Sequence, residues 1–154
     1  MTAPELDLET ADLAAFSPRE FARIVKALSK KELAAIASGP ARARIVDEVF
    51  SRMRGSFKPE VAGRLRALIR WRIADAGAPD LVYDMDIADG GCRVAAGPDG
   101  REPRVALTLS AEDFARLCSG NASGVTLFMT RRLKASGDLG LAGSLTRYFD
   151  IPKA

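Results

Sequence analysis

Histidine is absent from this chain of 154 residues. Its absence removes the commonest acid/base group near neutral pH and a leading metal ligand. It also removes the Ser-His and Cys-His pairs that activate many nucleophiles. Cysteine is scarce: Cys92 and Cys118 are the two, without Cys-x-x-Cys spacing. Free thiols in a reduced, cytoplasmic protein are the preferred reading over a disulfide. No apolar run reaches membrane-spanning length. The start, MTAPELDLETADLAAF, carries Glu5, Asp7, Glu9 and Asp12 and no base, the opposite of a signal peptide. Concentrated positive charge is missing too. Net charge is +3, and Arg131, Arg132 and Lys134 form the one tight basic cluster. Nucleic acid is therefore not an expected partner, because it selects for a basic face with aromatics between the charges.

What remains is a globular balance, 47% hydrophobic and 28% charged. Such a chain buries a core without disulfides or metals and reads as one domain with an appendage. Helical patterns come first. Ser17-Pro18-Arg19-Glu20 combines a capping serine, proline at the first helical position and a glutamate that closes the box. Phe16, Phe21, Ile24, Val25 and Leu28 make its stripe. Ser29-Lys30-Lys31-Glu32 is a second box, opening a short helix through Leu33 and Ile36 that Gly39-Pro40 stops. A third helix, closed by Gly55, puts Ile45, Val46, Val49, Phe50 and Met53 on one face, with Arg42, Asp47, Glu48, Arg52 and Arg54 elsewhere. A short helical turn follows Lys58. Residues 1–40 read as an N-terminal helical extension ahead of a main unit at 41–154.

The period then changes to alternation. Ile69, Trp71 and Ile73 alternate with Arg70 and Arg72. Leu81, Tyr83, Met85 and Ile87 alternate with Val82, Asp84 and Asp86, after the turn signal AGAPD. This predicts a hairpin with Trp71 on the greasy face. On the other face Arg70 and Arg72 meet Asp84 and Asp86, in solvated pairs contributing about 0.2–1 kcal/mol each. Gly90-Gly91 turns into a third strand with Cys92, Val94 and Ala96, and a fourth strand carries Val105, Leu107 and Leu109 to complete a meander. Ser110 then caps a helix bearing Phe114, Leu117 and Cys118. A short apolar helix at 125–129, a strand at 131–137 and a terminal helix at 139–149 finish the chain. The fold class is α+β: a five-stranded, mostly antiparallel sheet covered on one face by helices.

Catalytic chemistry finds little support. Cys92, Cys118, Tyr83, Tyr148, Asp84 and Asp86 are the candidates, and none has a partner base. Cys118 lies late on an apolar helix, where a thiol is inert. Arginines opposite the aspartates hold them ionised. No enzyme activity, metal or cofactor is expected.

The C-terminal third is dense in apolar residues: Phe114, Leu117, Val125, Leu127, Phe128 and Met129, then Leu133, Leu139, Leu141, Leu145 and Phe149. Each alone is ordinary core. Together, with interleaved glycines and adaptable methionine, they admit an apolar cavity under a helical roof. The stretch FMTRRLKASGDLGLAGSL resembles the signature of the sterol-carrier-protein type-two family, the non-specific lipid-transfer domain. That signature has a helical aromatic pair, a Gly-Lys-Leu-Lys strand, and a Gly-acid/amide-hydrophobe-Gly-Leu-Ala turn into the last helix. Phe128 and Met129 stand at the pair, Leu133 and Lys134 in the strand, and residues 137–142 at the turn. LTLSAEDFARLCSGNAS and VDEVFSRMRGSF are similar to the family's strand–helix unit and first helix, so the resemblance spans residues 45–149. Arg131 stands where the family usually has glycine. The peroxisomal C-terminal tripeptide of eukaryotic members is missing, and the Arg-rich, acid-balanced style resembles small bacterial members.

The resemblance implies an apolar tunnel for sterols, fatty acids or acyl chains between sheet and helices. Phe50, Met53, Trp71, Phe114, Leu117, Val125, Phe128, Met129 and Leu133 would line it. Leu141 and Leu145 would face it from the terminal helix, with Phe149 plugging the far end, and Arg131, Arg132 and Lys134 at the entrance. The expected partner is a lipid or other apolar small molecule, with transient contact at a membrane surface, carried by a monomer or homodimer. An auxiliary interaction or dimerisation module of the same fold is the alternative.

Overall fold

The computed structural model describes residues 15–37, 42–75 and 78–151. The acidic start, the Gly39-Pro40 stop and the final Pro-Lys-Ala lie outside them. Both capping boxes form. The Ser17 hydroxyl accepts from the Glu20 N–H at 3.1 Å, and the Glu20 carboxylate accepts from the Ser17 N–H at 2.9 Å, opening α1 (Pro18–Ala27). Ser29 and Glu32 repeat this ahead of α2 (Lys30–Ala37), at 3.0 Å both ways. Neither helix hangs free. Phe21, Val25 and Leu33 are buried in one cluster with Ile45 of α3 (Arg42–Ser56) and Ala115. Arg42, expected on a polar face, is buried. Its guanidinium donates to the carbonyls of Ile73 (2.6 Å) and Pro79 (3.0 Å), so the end of a hairpin supplies the acceptors that make burial tolerable. α3 runs through Gly55, and α4 is the single turn Pro59–Ala62.

The sheet comprises β1 (Ala67–Asp75), β2 (Ala78–Ala88), β3 (Gly91–Ala96), β4 (Val105–Ser110) and β5 (Lys134–Gly137), in the order β3-β2-β1-β4-β5. Three pairings are antiparallel. The fourth, β1 with β4, is parallel. The expected meander therefore stops at β3. The loop 97–104 crosses the sheet and delivers β4 to the far side of β1. β2 also begins earlier than the turn signal suggested, with Ala78 already opposite Asp75.

The alternation places Trp71 between Tyr83 and Leu107 on the helix-covered face, where it is 2% exposed. The opposite face departs from expectation. Arg70 stands opposite Asp84, but Arg72 stands opposite Val82 and Asp86 opposite Leu68. Arg70 and Asp84 are buried rather than solvated, because the crossing loop covers them. Arg70 Nε donates to Asp84 Oδ1 at 2.8 Å, the Asp99 N–H donates to Asp84 Oδ2 at 3.0 Å, and an Arg70 Nη donates to the Arg101 carbonyl at 2.9 Å. Gly97 permits this approach. A Cβ there would lie 2.8 Å from the Asp84 carboxyl carbon. Asp86 instead binds Arg101 at 2.9 Å.

After β4, Ser110 caps α5 (Ala111–Cys118), and Ser123 caps α6 (Gly124–Met129). The expected strand from residue 131 starts only at Lys134. The N–H groups of Arg132 and Leu133 both donate to the Leu127 carbonyl, closing α6 before the chain extends. The terminal helix is likewise shorter than expected: α7 is Leu139–Ser144, a 3-10 turn follows at Leu145–Tyr148, and Phe149 bridges to Phe57.

Candidate functional site

Between the sheet and the layer formed by α6 and α7 lies a cavity of about 470 Å³. The local sequence explains its walls. Gly137 ends β5 with φ +91°, a left-handed conformation, and any Cβ there would collide with the Arg104 carbonyl oxygen. Only glycine fits both demands. Asp138 follows and caps α7, accepting from the Leu141 N–H at 3.0 Å and pairing with Arg104 at 3.1 Å. The backbone N–H, then Arg104, hold its carboxyl below the usual range. The turn shared with the signature thus aims α7 across the sheet. Leu139, Ala142 and Gly143 face the cavity from it, and Thr146 from the 3-10 turn that follows, at the spacing of one helical face. Small residues there leave room instead of filling it.

Six of the residues expected to line a tunnel stand in this wall: Trp71, Leu117, Val125, Phe128, Leu133 and Leu145. The buried Trp71 Nε1–H has no acceptor among the described residues. The other six lie elsewhere. Phe50 and Phe114 are solid core: their ring centroids are 4.7 Å apart, and Phe114 sits 5.2 Å from Trp71. These rings fill the space under α3 and α5. Leu141 is buried but off the cavity-facing stripe, one residue out of phase with Ala142. Met129, 74% exposed, points to solvent, since only one side of the short α6 packs inward. Met53 and Phe149 line a separate cavity of about 370 Å³ beneath α1.

Sequence reasoning missed Leu107, Ala122, Ser123, Gly124, Ala135, Ala142, Gly143 and Ile151. Alternation offered a signal for Leu107, which pairs with Trp71. The small residues gave none, because a pattern of apolar bulk does not report where bulk is missing.

The basic cluster is the group expected at the entrance. None of its members lines the cavity. Arg132 is held by Asp113 through two bonds, 2.9 and 3.0 Å, with Glu112 at 3.5 Å. Lys134 alternates with Leu133 and Ala135 and so points away from the wall they form. Arg131 is exposed at φ +64°. The groups weighed for catalysis are engaged or depressed in reactivity. Burial pushes the Cys118 thiol up strongly and Cys92 up to about 11. Burial, then the hydrogen bond to Asp47 at 2.7 Å, raises Tyr83 to about 12. Tyr148 is half-buried, and its carbonyl accepts from the Lys58 N–H. No metal-binding cluster occurs among the described residues, and no helix among them is long and apolar enough to cross a membrane.

Residues 49–150 match the SCP-2 sterol transfer family. The chain belongs to that family. Curated relatives include hydroxysteroid dehydrogenase-like protein 2 of Danio rerio, 25% identical over 119 residues, covering 77% of this chain and 27% of the relative. Peroxisomal multifunctional enzyme type 2 of Mus musculus is 28% identical over 103 residues, covering 67% and 14%. The chain thus spans about a quarter or less of the length of these relatives. Among solved structures, sterol carrier protein 2 like 2 from Aedes aegypti superposes with a TM-score of 0.57 at 18% identity, covering 68% of this chain and 96% of that one. The sec-alkylsulfatase Pisa1 from Pseudomonas sp. gives 0.61 at 14% identity, covering 68% and 16%. Both similarities are of fold. They support the α+β architecture with a five-stranded mixed sheet.

Proposed function

We propose that the protein binds and carries one apolar ligand, a fatty acid, acyl chain or sterol-like lipid, in the cavity between the sheet and α6–α7, without catalysing a reaction on it. The observation that carries this reading is the wall itself: Trp71, Leu107, Leu133 and Leu145 inside, Val125, Phe128 and Leu139 at the partly exposed edge, around about 470 Å³. That volume falls within the roughly 300–1,000 Å³ of small-molecule sites. Each buried methylene contributes about 0.8 kcal/mol, so a long chain gains enough to offset ordering costs with little headgroup recognition. A solved relative of the same fold, from Aedes aegypti, is described as palmitated, with a TM-score of 0.54.

The test is native mass spectrometry with organic extraction, followed by displacement of a fluorescent fatty acid. A bound mass of lipid size and saturable displacement that strengthens with chain length are expected. Absence of both overturns the reading. The alternative, an auxiliary interaction module, draws on the enzyme relatives being several times longer than this chain and on the exposed Met129 at 74% and Val125 at 69%. A lipid-free protein that forms a stable dimer would favour it.

A further inference from the structure

Ile151 lines two cavities. One is the lipid site just described. The other, of about 370 Å³, is walled by Pro18 and Phe21 of α1, Met53 of α3, Cys118 of α5, and Phe149 with Ile151 of the final segment. Pro18 and Phe21 lie outside the matched residues 49–150, so α1 adds a wall from beyond the match to a compartment otherwise built mostly of matched residues such as Met53, Cys118 and Phe149.

We propose that the two cavities form one bipartite site, with the Ile151 side chain as partition, and that a very-long-chain acyl group passes from the first into the second. This rests on the reading of the first cavity as a lipid site. Three observations carry it. Ile151 borders both cavities, and it lies in the segment after Phe149 that is neither helix nor strand. The second compartment is lined by six apolar or sulfur-bearing residues, with Arg52, Ser56 and the carboxylate-bearing Asp150 as its polar ones. The cation on its wall is already engaged: Arg52 Nε lies 2.8 Å from the Glu48 carboxylate, an Arg52 Nη donates to the Phe16 carbonyl at 2.7 Å, and the guanidinium stacks 4.4 Å from the Phe21 ring centroid. With its charge answered from within, Arg52 is not poised to take a headgroup. The compartment therefore suits the methyl end of a chain rather than its carboxylate.

Two glycines allow the compartments to be filled separately. A Cβ built on Gly55, in the wall of the second cavity, meets nothing within 4 Å, and the same is true of Gly143 in the wall of the first. Neither has the positive φ that would strain a side chain. Gly55→Phe and Gly143→Phe should each fold and plug one space. Displacement of a fluorescent fatty acid would be measured with dodecanoic and docosanoic acids. Gly55→Phe is expected to weaken docosanoic acid about tenfold and to leave dodecanoic acid within about twofold, while Gly143→Phe weakens both about tenfold. A docosanoic acid with a photoreactive terminal carbon should label Met53 or Phe149 in the wild type and not in Gly55→Phe. If the wild type binds neither acid, the lipid reading itself fails. If both bind, Gly55→Phe affects neither, and label appears only on the first cavity, the bipartite site is wrong and the lipid reading stands.

Discussion

Against the same sheet face, one half of the molecule is solid, its cavity lying away from the sheet beneath α1, and the other is hollow. Beneath α3 and α5, the rings of Phe50, Phe114 and Trp71 meet at centroid distances of 4.7 to 6.1 Å. Beneath α6, α7 and the turn that follows, the lining mixes Gly124, Ala142, Gly143 and Thr146 with Val125, Phe128, Leu139 and Leu145, and a cavity opens. Trp71 belongs to both halves, meeting the aromatic core edge-on and tilted while walling the cavity. The two halves share the sheet but not burial: Val125, Phe128 and Leu139 at the cavity are 69%, 48% and 56% exposed, whereas Phe50 and Phe114 are enclosed. The halves also differ in side-chain volume at helix positions. Packed interiors leave few voids larger than water, and small residues such as Gly124, Ala142 and Gly143 among the larger ones help to leave a space of this size.

The sharpest way to break this comparison is to remove what buttresses the solid half. Phe21, Val25 and Leu33 each contribute about 1.5–3 kcal/mol on burial, and Asn121 Nδ2 donates to the Ala22 carbonyl at 2.9 Å. A chain lacking residues 1–40 should lose on the order of 5 kcal/mol, against a total of about 5–15 for an ordinary domain. Calorimetry would show a broad or absent transition. An unchanged cooperative transition would instead support residues 1–40 as a separable extension.

A pair of substitutions contrasts the halves directly. Phe114→Ala should cost about 3–5 kcal/mol in chemical denaturation, as fully enclosed aromatic rings do. Phe128→Ala, where the ring is 48% exposed at the cavity edge, should cost about 1 kcal/mol or less while weakening fatty-acid binding about tenfold. Equal losses of stability would mean that the hollow half is packed in solution.

How much of this was legible divides along the same line. The solid half announced itself: the caps at Ser17, Ser29 and Ser110 form, and the alternation around Trp71 fixed its face. What failed there involved groups whose partners are distant in sequence. Arg42 is buried by carbonyls 31 and 37 residues away. The Arg70–Asp84 pair is buried by a loop whose path depends on β4 pairing parallel with β1. Local patterns carry no information about either. In the hollow half the resemblance pointed to the C-terminal third, yet the stripe at Leu139, Ala142, Gly143 and Thr146 has too little apolar contrast for periodicity to detect. Leu141 and Leu145 gave the stronger signal, and only Leu145 lines the cavity.

Titration at high pH reaches the solid half from its edge. Tyr83 packs on Phe50 at 4.6 Å and donates to Asp47. Its hydroxyl is raised from 10.0 to about 12 and the Cys92 thiol from 9.0 to about 11, in both cases mainly by burial. A raised value means that the fold favours the protonated form. The corresponding stability is fully present below pH 9 and is lost as pH rises toward 12. Tyr83→Phe should flatten the fall between pH 10 and 12 by about 1 kcal/mol, a figure reduced because the hydroxyl is partly exposed. An unaltered alkaline slope would show that the Tyr83–Asp47 bond contributes nothing to the edge of the core.

The smallest effect is expected at Arg131, in the hollow half. The chain leaves α6 there with φ +64°, while the next two N–H groups return to the Leu127 carbonyl. A left-handed conformation costs a non-glycine residue roughly 1–2 kcal/mol, and glycine enters it freely. The family signature usually carries glycine at this place, and the backbone now gives the reason: the turn closing α6 must reverse before β5 can start. Arg131→Gly should relieve the strain but add freedom to the unfolded chain, which costs about 0.4–1 kcal/mol in return. The net gain is therefore small, about 0.5 kcal/mol, read as a slight rise in the denaturation midpoint at constant slope. Because Arg131 does not line the cavity, fatty-acid affinity should stay within about twofold. A large loss of affinity would place the Arg131 guanidinium at the ligand and return the basic cluster to the entrance. A large loss of stability would mean that the arginine makes a contact outweighing its backbone strain, and the closure of α6 would then depend on its side chain rather than on the turn alone.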